Sequence, residues 1–242
     1  MPQPTVHICL SPALYPIYHS NESIVVVVDI LRATSAICTA LHHGMKSVIP
    51  VSSIEQAKQY SGDEYIIAAE RGGEIVDGFA YGNSPLSYIN NPATVGRHLV
   101  LTTTNGTQAI EVASESHTLV IGAFSNISTL ASWIAQRNQH VMILCAGWKN
   151  RINLEDTIFS GALLHLLLNR GYNMDIDSDA GITALSLYQQ SANNISQFLK
   201  QSSHHQRLSR LQLDDDVAYC LTRDTAPVVP ILKQEQIIIS EK

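Results

Sequence analysis

Four short clusters in this 242-residue chain carry side chains that could do chemistry on a phosphate ester. The first, Asp29-Ile30-Leu31-Arg32-Ala33-Thr34-Ser35, follows four consecutive valines. A carboxylate there can ligate a cation or act as a nucleophile, while Arg32 and the free amides near Thr34 and Ser35 suit phosphate oxygens. The same residues also read as an N-capping turn whose Asp satisfies backbone amides. The second cluster runs from Glu70-Arg71-Gly72-Gly73-Glu74 to Gly82-Asn83-Ser84-Pro85. Glu70 directly follows an apolar run, and the paired glycines mark either a close backbone approach or a tight turn. Ser84 reads as a helix cap with Pro85 at the first helical position.

The third cluster is Thr102-Thr103-Thr104-Asn105-Gly106-Thr107. Hydroxyls and a glycine at a strand-to-helix junction make an anion nest, with Thr104, Asn105, Gly106 and Thr107 as its substrate-binding candidates. In the fourth, Cys145 to Asp156, Asn153 reads as an N-cap, and Glu155 and Asp156 fall in the first turn of a helix. These two acids either serve the helix dipole or complete a Mg²⁺ site with Asp29 and Glu70; Mg²⁺ keeps several waters, so one or two direct carboxylates suffice. Cys145 and Arg151 also have the Cys-x5-Arg spacing of a thiolate-dependent phosphatase loop. Leu144 in place of a histidine, with bulky Trp148 and Lys149 inside the loop, weakens that alternative. In the acidic and basic tail, Arg207 and Asp216 stand out from a stretch that includes His204, Asp214, Asp215 and Asp224 and otherwise reads as solvated helix surface.

The elements that must position these clusters alternate. Strands are expected at Val6 to Leu10, Ile24 to Asp29, Ser47 to Val51, Tyr65 to Ala69, His98 to Thr102, Thr118 to Ile121 and Val141 to Cys145. Helices are expected at Ala33 to His42, Ser53 to Tyr60, Gly106 to Ala113, Ser125 to Arg137 and Leu154 to Asn169. This is a βαβ pattern, and the Val25–Val28 run suits a strand buried on both faces. The expected fold is a three-layer α/β/α unit with a largely parallel or mixed sheet over residues 1–242, two closely fused subdomains being the alternative. Val228 to Leu232 and Gln236 to Ile239 are expected to add edge strands. All four chemical clusters fall at or just beyond strand carboxyl ends, where open α/β sheets bind ligands.

Bulk properties narrow the partners. A formal net charge of −6 argues against a nucleic-acid surface. No apolar run approaches membrane-spanning length, and the start MPQPTVHICLSP lacks the pattern of a signal peptide. Cys9, Cys38, Cys145 and Cys220 are widely spaced, so a reduced cytoplasmic protein without structural zinc is expected.

Taken together and in order, Asp29 to Ser35, Glu70 to Gly73, Gly78-Phe79, Gly82 to Pro85, Thr103 to Thr107, and Leu154-Glu155-Asp156 with Gly161 resemble the 2-phosphosulfolactate phosphatase family. Arg207-Leu208, Asp215-Asp216-Val217, Cys220 and Val229-Pro230 extend the resemblance, which spans about residues 24 to 230. It implies an α/β/α fold, a Mg²⁺ requirement, hydrolysis of 2-phospho-3-sulfolactate to sulfolactate and phosphate, and a place in coenzyme M biosynthesis. Two departures stand out: Ala80 replaces a family aspartate, and Ser160 replaces an alanine before Gly161. The expected site has Asp29, Arg32, Glu70 and Asp156 as catalytic residues, and Asp29, Glu70, Glu155 and Asp156 as candidate metal ligands. Thr34, Ser35, Thr104 to Thr107 and Arg207 face the substrate, and Arg71, Lys149 or Arg151 holds its carboxylate and sulfonate. An activated water is favoured over Asp29 as nucleophile, because Leu31 stands where aspartyl-phosphate enzymes carry a second Asp. The expected partners are a small phosphorylated acid and a second copy of the chain; a non-catalytic metabolite-binding protein is the remaining alternative.

Overall fold

The valine run decides the layering. In the computed structural model, Val26 and Val28 enter one apolar core while Val25 and Val27 enter another. Alternate residues of one strand thus meet two helical layers, and all five residues of that strand are buried. The structure describes residues 3–18, 22–175 and 178–241; Met1 and Pro2, at the start of the N-terminal stretch read above, lie outside them.

The strands are β1 (Thr5–Cys9), β2 (Ile24–Val28), β3 (Ser47–Pro50), β4 (Tyr65–Arg71), β5 (Glu74–Ile75) and β6 (His98–Thr102). They continue with β7 (Thr118–Gly122), β8 (Val141–Cys145), β9 (Asn173–Met174), β10 (Pro230–Lys233) and β11 (Gln236–Ile239). The helices are α1 (Tyr15–Tyr18), α2 (Ala33–His42), α3 (Ile54–Ala57), α4 (Gly106–Val112) and α5 (Ile127–Arg137). After them come α6 (Leu154–Leu168), α7 (Asp179–Ser191), α8 (Ile195–Leu199), α9 (Ser203–Arg210) and α10 (Asp214–Cys220). Ile37 and Leu41 of α2 and Ile110 of α4 fill one core; Leu130 of α5 and Phe159 and Leu163 of α6 fill the other. The three-layer α/β/α expectation holds.

Among the described residues one sheet runs in the order β5-β4-β6-β3-β11-β10-β7-β2-β8-β1-β9. It is mostly parallel: β4 and β3 flank β6, and β7 and β8 flank β2, all in parallel register. The β10–β11 hairpin is the correction to the expected edge strands. It pairs antiparallel with β7 on one side and β3 on the other, through Ile231–Val120 and Ile237–Val48, and so joins two parallel halves in the middle of the sheet. Two half-sheets that would each expose an inner edge are sealed by the last segment of the chain.

The sheet also curls. Five strand positions separate β2 from β6, about 24 Å if flat. Yet a Cβ placed on Gly106, just beyond β6, would lie 2.8 Å from Oδ2 of Asp29, just beyond β2. All four cysteines are free and buried. No helix of the described residues is long and apolar enough to cross a membrane.

Candidate active site

The curl brings the expected clusters to one place. Asp29 and Arg32 from the β2–α2 turn, Glu70 and Gly73 from the β4–β5 hairpin, Asn105 from the β6–α4 turn and Trp148 beyond β8 line a single cavity. Leu31, Asn83 and, from α9, His204 and Leu208 complete the wall. The enclosed space is about 10 Å³, room for roughly one water.

The turn after β2 is set by hydroxyls. Thr34 Oγ1 accepts from the Asp29 amide at 3.1 Å and donates to the Asp29 carbonyl at 2.9 Å, while Ser35 Oγ donates to the Ile30 carbonyl at 2.9 Å. Both side chains are fully buried, so their hydroxyls shape the loop that carries Asp29 rather than facing a ligand. Thr107 behaves alike: it and Thr103 exchange amide-to-hydroxyl bonds at 3.1 and 3.2 Å. The Asp29 carboxyl is pushed up to about 7, first by burial, with Glu70 and Glu155 raising it further and His204 and Arg32 opposing.

Glu70 is held as an acceptor. The Gly73 amide donates to Oε1 at 2.6 Å, the Thr104 amide to Oε2 at 3.1 Å, and Thr104 Oγ1 to Oε1 at 3.1 Å. Gly72 and Gly73 both have positive φ, as a two-residue hairpin loop between Arg71 and Glu74 requires. That turn also aims the Gly73 carbonyl at Arg32, whose Nη2 donates to it at 2.5 Å; Nη1 donates to Asp216 Oδ2 at 2.7 Å. Ser84 holds the N-cap position before Pro85 without capping the turn; its hydroxyl donates instead to Asp216 Oδ1 at 2.6 Å. The guanidinium is therefore fixed by a buried carboxylate from α10.

Asp156 is placed otherwise than expected. It is fully buried beneath the cavity, with Oδ1 accepting from the Ile30 amide at 2.9 Å and Oδ2 from the Gly147 amide at 3.1 Å. It ties the β2 and β8 loops together, and burial with Asp29 and Glu155 nearby lifts its carboxyl well above the usual range. Glu155, one residue earlier, points to α9: its Oε1 is bonded to His204 Nδ1, and its Oε2 makes no hydrogen bond within the protein. Asn153 takes the N-cap position without capping through its side chain, and its Oδ1, like Asn83 Oδ1, is also unpartnered.

Of the expected anion-holding cations, Arg71 is occupied by the Glu70 carbonyl and Thr102 Oγ1, and Lys149 and Arg151 are exposed, Lys149 in a two-residue turn with positive φ at Lys149 and Asn150 and Arg151 just after it, paired with Trp148. The Lys149 amide donates to Asn105 Oδ1 at 3.2 Å, pinning two loops. Arg207 is different. Its guanidinium lies 3.7 Å over the Trp148 ring, and its Nε and Nη2 are buried without a partner. Burial lowers its pKa, with Glu155 and Glu70 opposing. Ala80, the family departure, is exposed and lines no part of this cavity.

The thiolate reading does not survive. Cys145 is fully buried, burial and then Asp156 push its thiol far up, its Sγ lies 3.3 Å from Ser160 Oγ, and Arg151 is exposed. The residues that sequence reasoning missed are His204, Trp148, Asn83 and Leu208. A signal for part of this set existed: His204, Arg207 and Leu208 stand at i, i+3 and i+4, one face of α9.

As donors for a metal, Asp29 and Glu70 offer oxygen from two sides of the cavity, Glu70 while already accepting three hydrogen bonds, whereas Glu155 is turned to His204 and does not line it. Among the described residues no three His, Cys, Asp or Glu side chains form a ready-made cage. Two carboxylates with waters and phosphate oxygens fit the way Mg²⁺ is usually held.

A sheet that gathers carboxylates and fixed arginines at its strand ends defines an α/β enzyme that handles an anion. Comparison with known proteins narrows the class. Residues 9–235 match the family model described as 2-phosphosulpholactate phosphatase. A protein of Caldanaerobacter subterraneus subsp. tengcongensis named probable 2-phosphosulfolactate phosphatase is 36% identical over 218 residues, covering 88% of this chain and 89% of its own length. Proteins of the same name from Synechocystis sp. and Clostridium acetobutylicum are 34% and 35% identical, each over 88% of this chain, and over 94% and 91% of their own lengths. The chain belongs to the 2-phosphosulfolactate phosphatase family and is a phosphoric monoester hydrolase.

Proposed function

We propose that this chain hydrolyses 2-phospho-3-sulfolactate to 3-sulfolactate and inorganic phosphate, with Mg²⁺ held by Asp29 and Glu70. The observation that carries the reading is the meeting of Asp29, Arg32 and Glu70, from loops far apart in the sheet order, on one buried cavity. The substrate comes from the names of the relatives, and the cation from the family resemblance and the oxygen donors. Bound Mg²⁺ would supply positive charge to the phosphate oxygens and lower the pKa of a water.

The chain's own groups do the rest. Arg32, immobilised by Asp216 and the Gly73 carbonyl, presents its remaining edge to the phosphoryl oxygens at no reorganisation cost. Glu70 is kept in place by three donors, and Gly106 lets the start of α4 approach Asp29. Arg207, stacked on Trp148 with two unused donors, receives the acid group of the substrate. The β4–β5 hairpin and α9 meet over the cavity at Gly73 and Leu208, where closure on the ester would exclude water.

Phosphate release from 2-phospho-3-sulfolactate tests the reading. Saturable release with Mg²⁺, lost on chelation and restored by excess Mg²⁺, is expected. No release, or release indifferent to the chelator, would contradict it.

A further inference from the structure

We infer that His204 is a catalytic residue, the general acid that protonates the departing oxygen, and that Glu155 is its positioning partner. The inference rests on the phosphatase reading and assigns a step that it leaves open. Cleaving an alkyl phosphate expels an alkoxide, a poor leaving group unless a proton reaches it as the bond breaks. Asp29 and Glu70 are committed to the cation, Arg32 to its brace, and Asp156 to two backbone amides. His204 is the proton-transfer group left on the wall.

Its placement is specific. The imidazole lines the same cavity as Asp29, Arg32 and Glu70. Nδ1 is bonded to Oε1 of Glu155, a carboxylate at 0% exposure on α6. A ring anchored at Nδ1 by a buried carboxylate has one nitrogen left, Nε2, and that is the geometry of a carboxylate-oriented catalytic histidine. Trp148 packs against the ring with centroids 5.9 Å apart, restricting its rotation. Glu155 spends only one oxygen on the histidine. The other is buried and makes no hydrogen bond within the protein, whereas a purely structural ion pair would be expected to satisfy it.

The step balances. Water oxygen forms the new P–O bond, and the bond from phosphorus to the ester oxygen breaks with its electron pair going to that oxygen. The oxygen takes the proton from His204 Nε2 to become the hydroxyl of the product. The proton lost by the attacking water replaces the one His204 gave, so the imidazole returns to its starting state and nothing beyond water is consumed.

Leaving-group dependence tests this, because an aryl ester such as p-nitrophenyl phosphate expels a weak base that needs little protonation. In His204→Gln, kcat/KM for 2-phospho-3-sulfolactate should fall by roughly 10² to 10⁴, while that for p-nitrophenyl phosphate falls by no more than about tenfold. Glu155→Gln should show the same selective loss at smaller size. Each comparison is a ratio within one preparation, so partial unfolding lowers both rates alike and cannot imitate the result. His204→Asn serves if the glutamine variant does not fold. Equal losses for the two esters would overturn the assignment and leave the phosphatase reading standing. A wild-type chain that releases phosphate from neither ester would overturn both.

Discussion

In the proposed reading Asp29 is the residue on which the chemistry turns, and its environment predicts a stability signature. Its folded-state pKa of about 7 lies above the ordinary 3.8, so folding retains a proton that the unfolded chain releases. The resulting stabilisation is fully present below about pH 3.8 and is lost as pH rises through about 7. In chelator, wild type should therefore lose stability relative to Asp29→Asn between these pH values and level off above. Urea midpoints of the two proteins measure this, and a difference that stays flat across the window contradicts it. Cys145 makes the opposite prediction. A buried thiol with a raised pKa is inert, so Cys145→Ser should keep kcat/KM within about threefold of wild type; loss of turnover there would revive the thiolate route. Residue types were legible in sequence, but not which atoms would be spent. Thr34, Ser35 and Thr107 look like phosphate ligands until their hydroxyls are seen bonded to their own backbone.

At the scale of elements, the strand ends were legible because βα alternation fixes them, and β6 and β8 fall where expected. What periodicity cannot convey is lateral order. The C-terminal hairpin reads as an edge from composition, yet β10 and β11 sit between β7 and β3, because parallel halves need an antiparallel filler that only the whole fold specifies. Nor can it convey that α9 folds back over the strand ends to deliver His204. Two glycines report where elements touch. A Cβ at Gly106 would stand 2.5 Å from Ala33 Cβ and 2.8 Å from Asp29 Oδ2; one at Gly161 would stand 2.0 Å from the Ala184 carbonyl oxygen, where α6 meets α7. Both Ala substitutions should destabilise by about 1–3 kcal/mol. Gly106→Ala should also cut the activity of the folded fraction by roughly 10² by displacing Asp29, while Gly161→Ala should leave it nearly intact. Melting curves read beside specific activity separate the two effects, and equal activity losses would contradict this account.

Across the whole molecule, the net charge of −6 coexists with a cavity that must accept a multiply charged anion. The conflict is resolved locally: Arg32, in the β2–α2 turn, lines the cavity, Arg207 of α9 stacks on Trp148 of its wall, and the carboxylates of Asp29 and Glu70 are suited to a cation. Fold class, the site's edge of the sheet and two of its carboxylates could be read from order along the chain. The closing wall could not, because Trp148, His204 and Leu208 acquire meaning only when the sheet curls. The central claim is that phosphate is released at this cavity. It is tested most directly by turnover of 2-phospho-3-sulfolactate by Asp29→Asn under saturating Mg²⁺. The account predicts a loss of at least roughly 10²-fold in kcat with a melting temperature, measured in chelator, equal to or above wild type; activity within tenfold of wild type in a folded variant would contradict it.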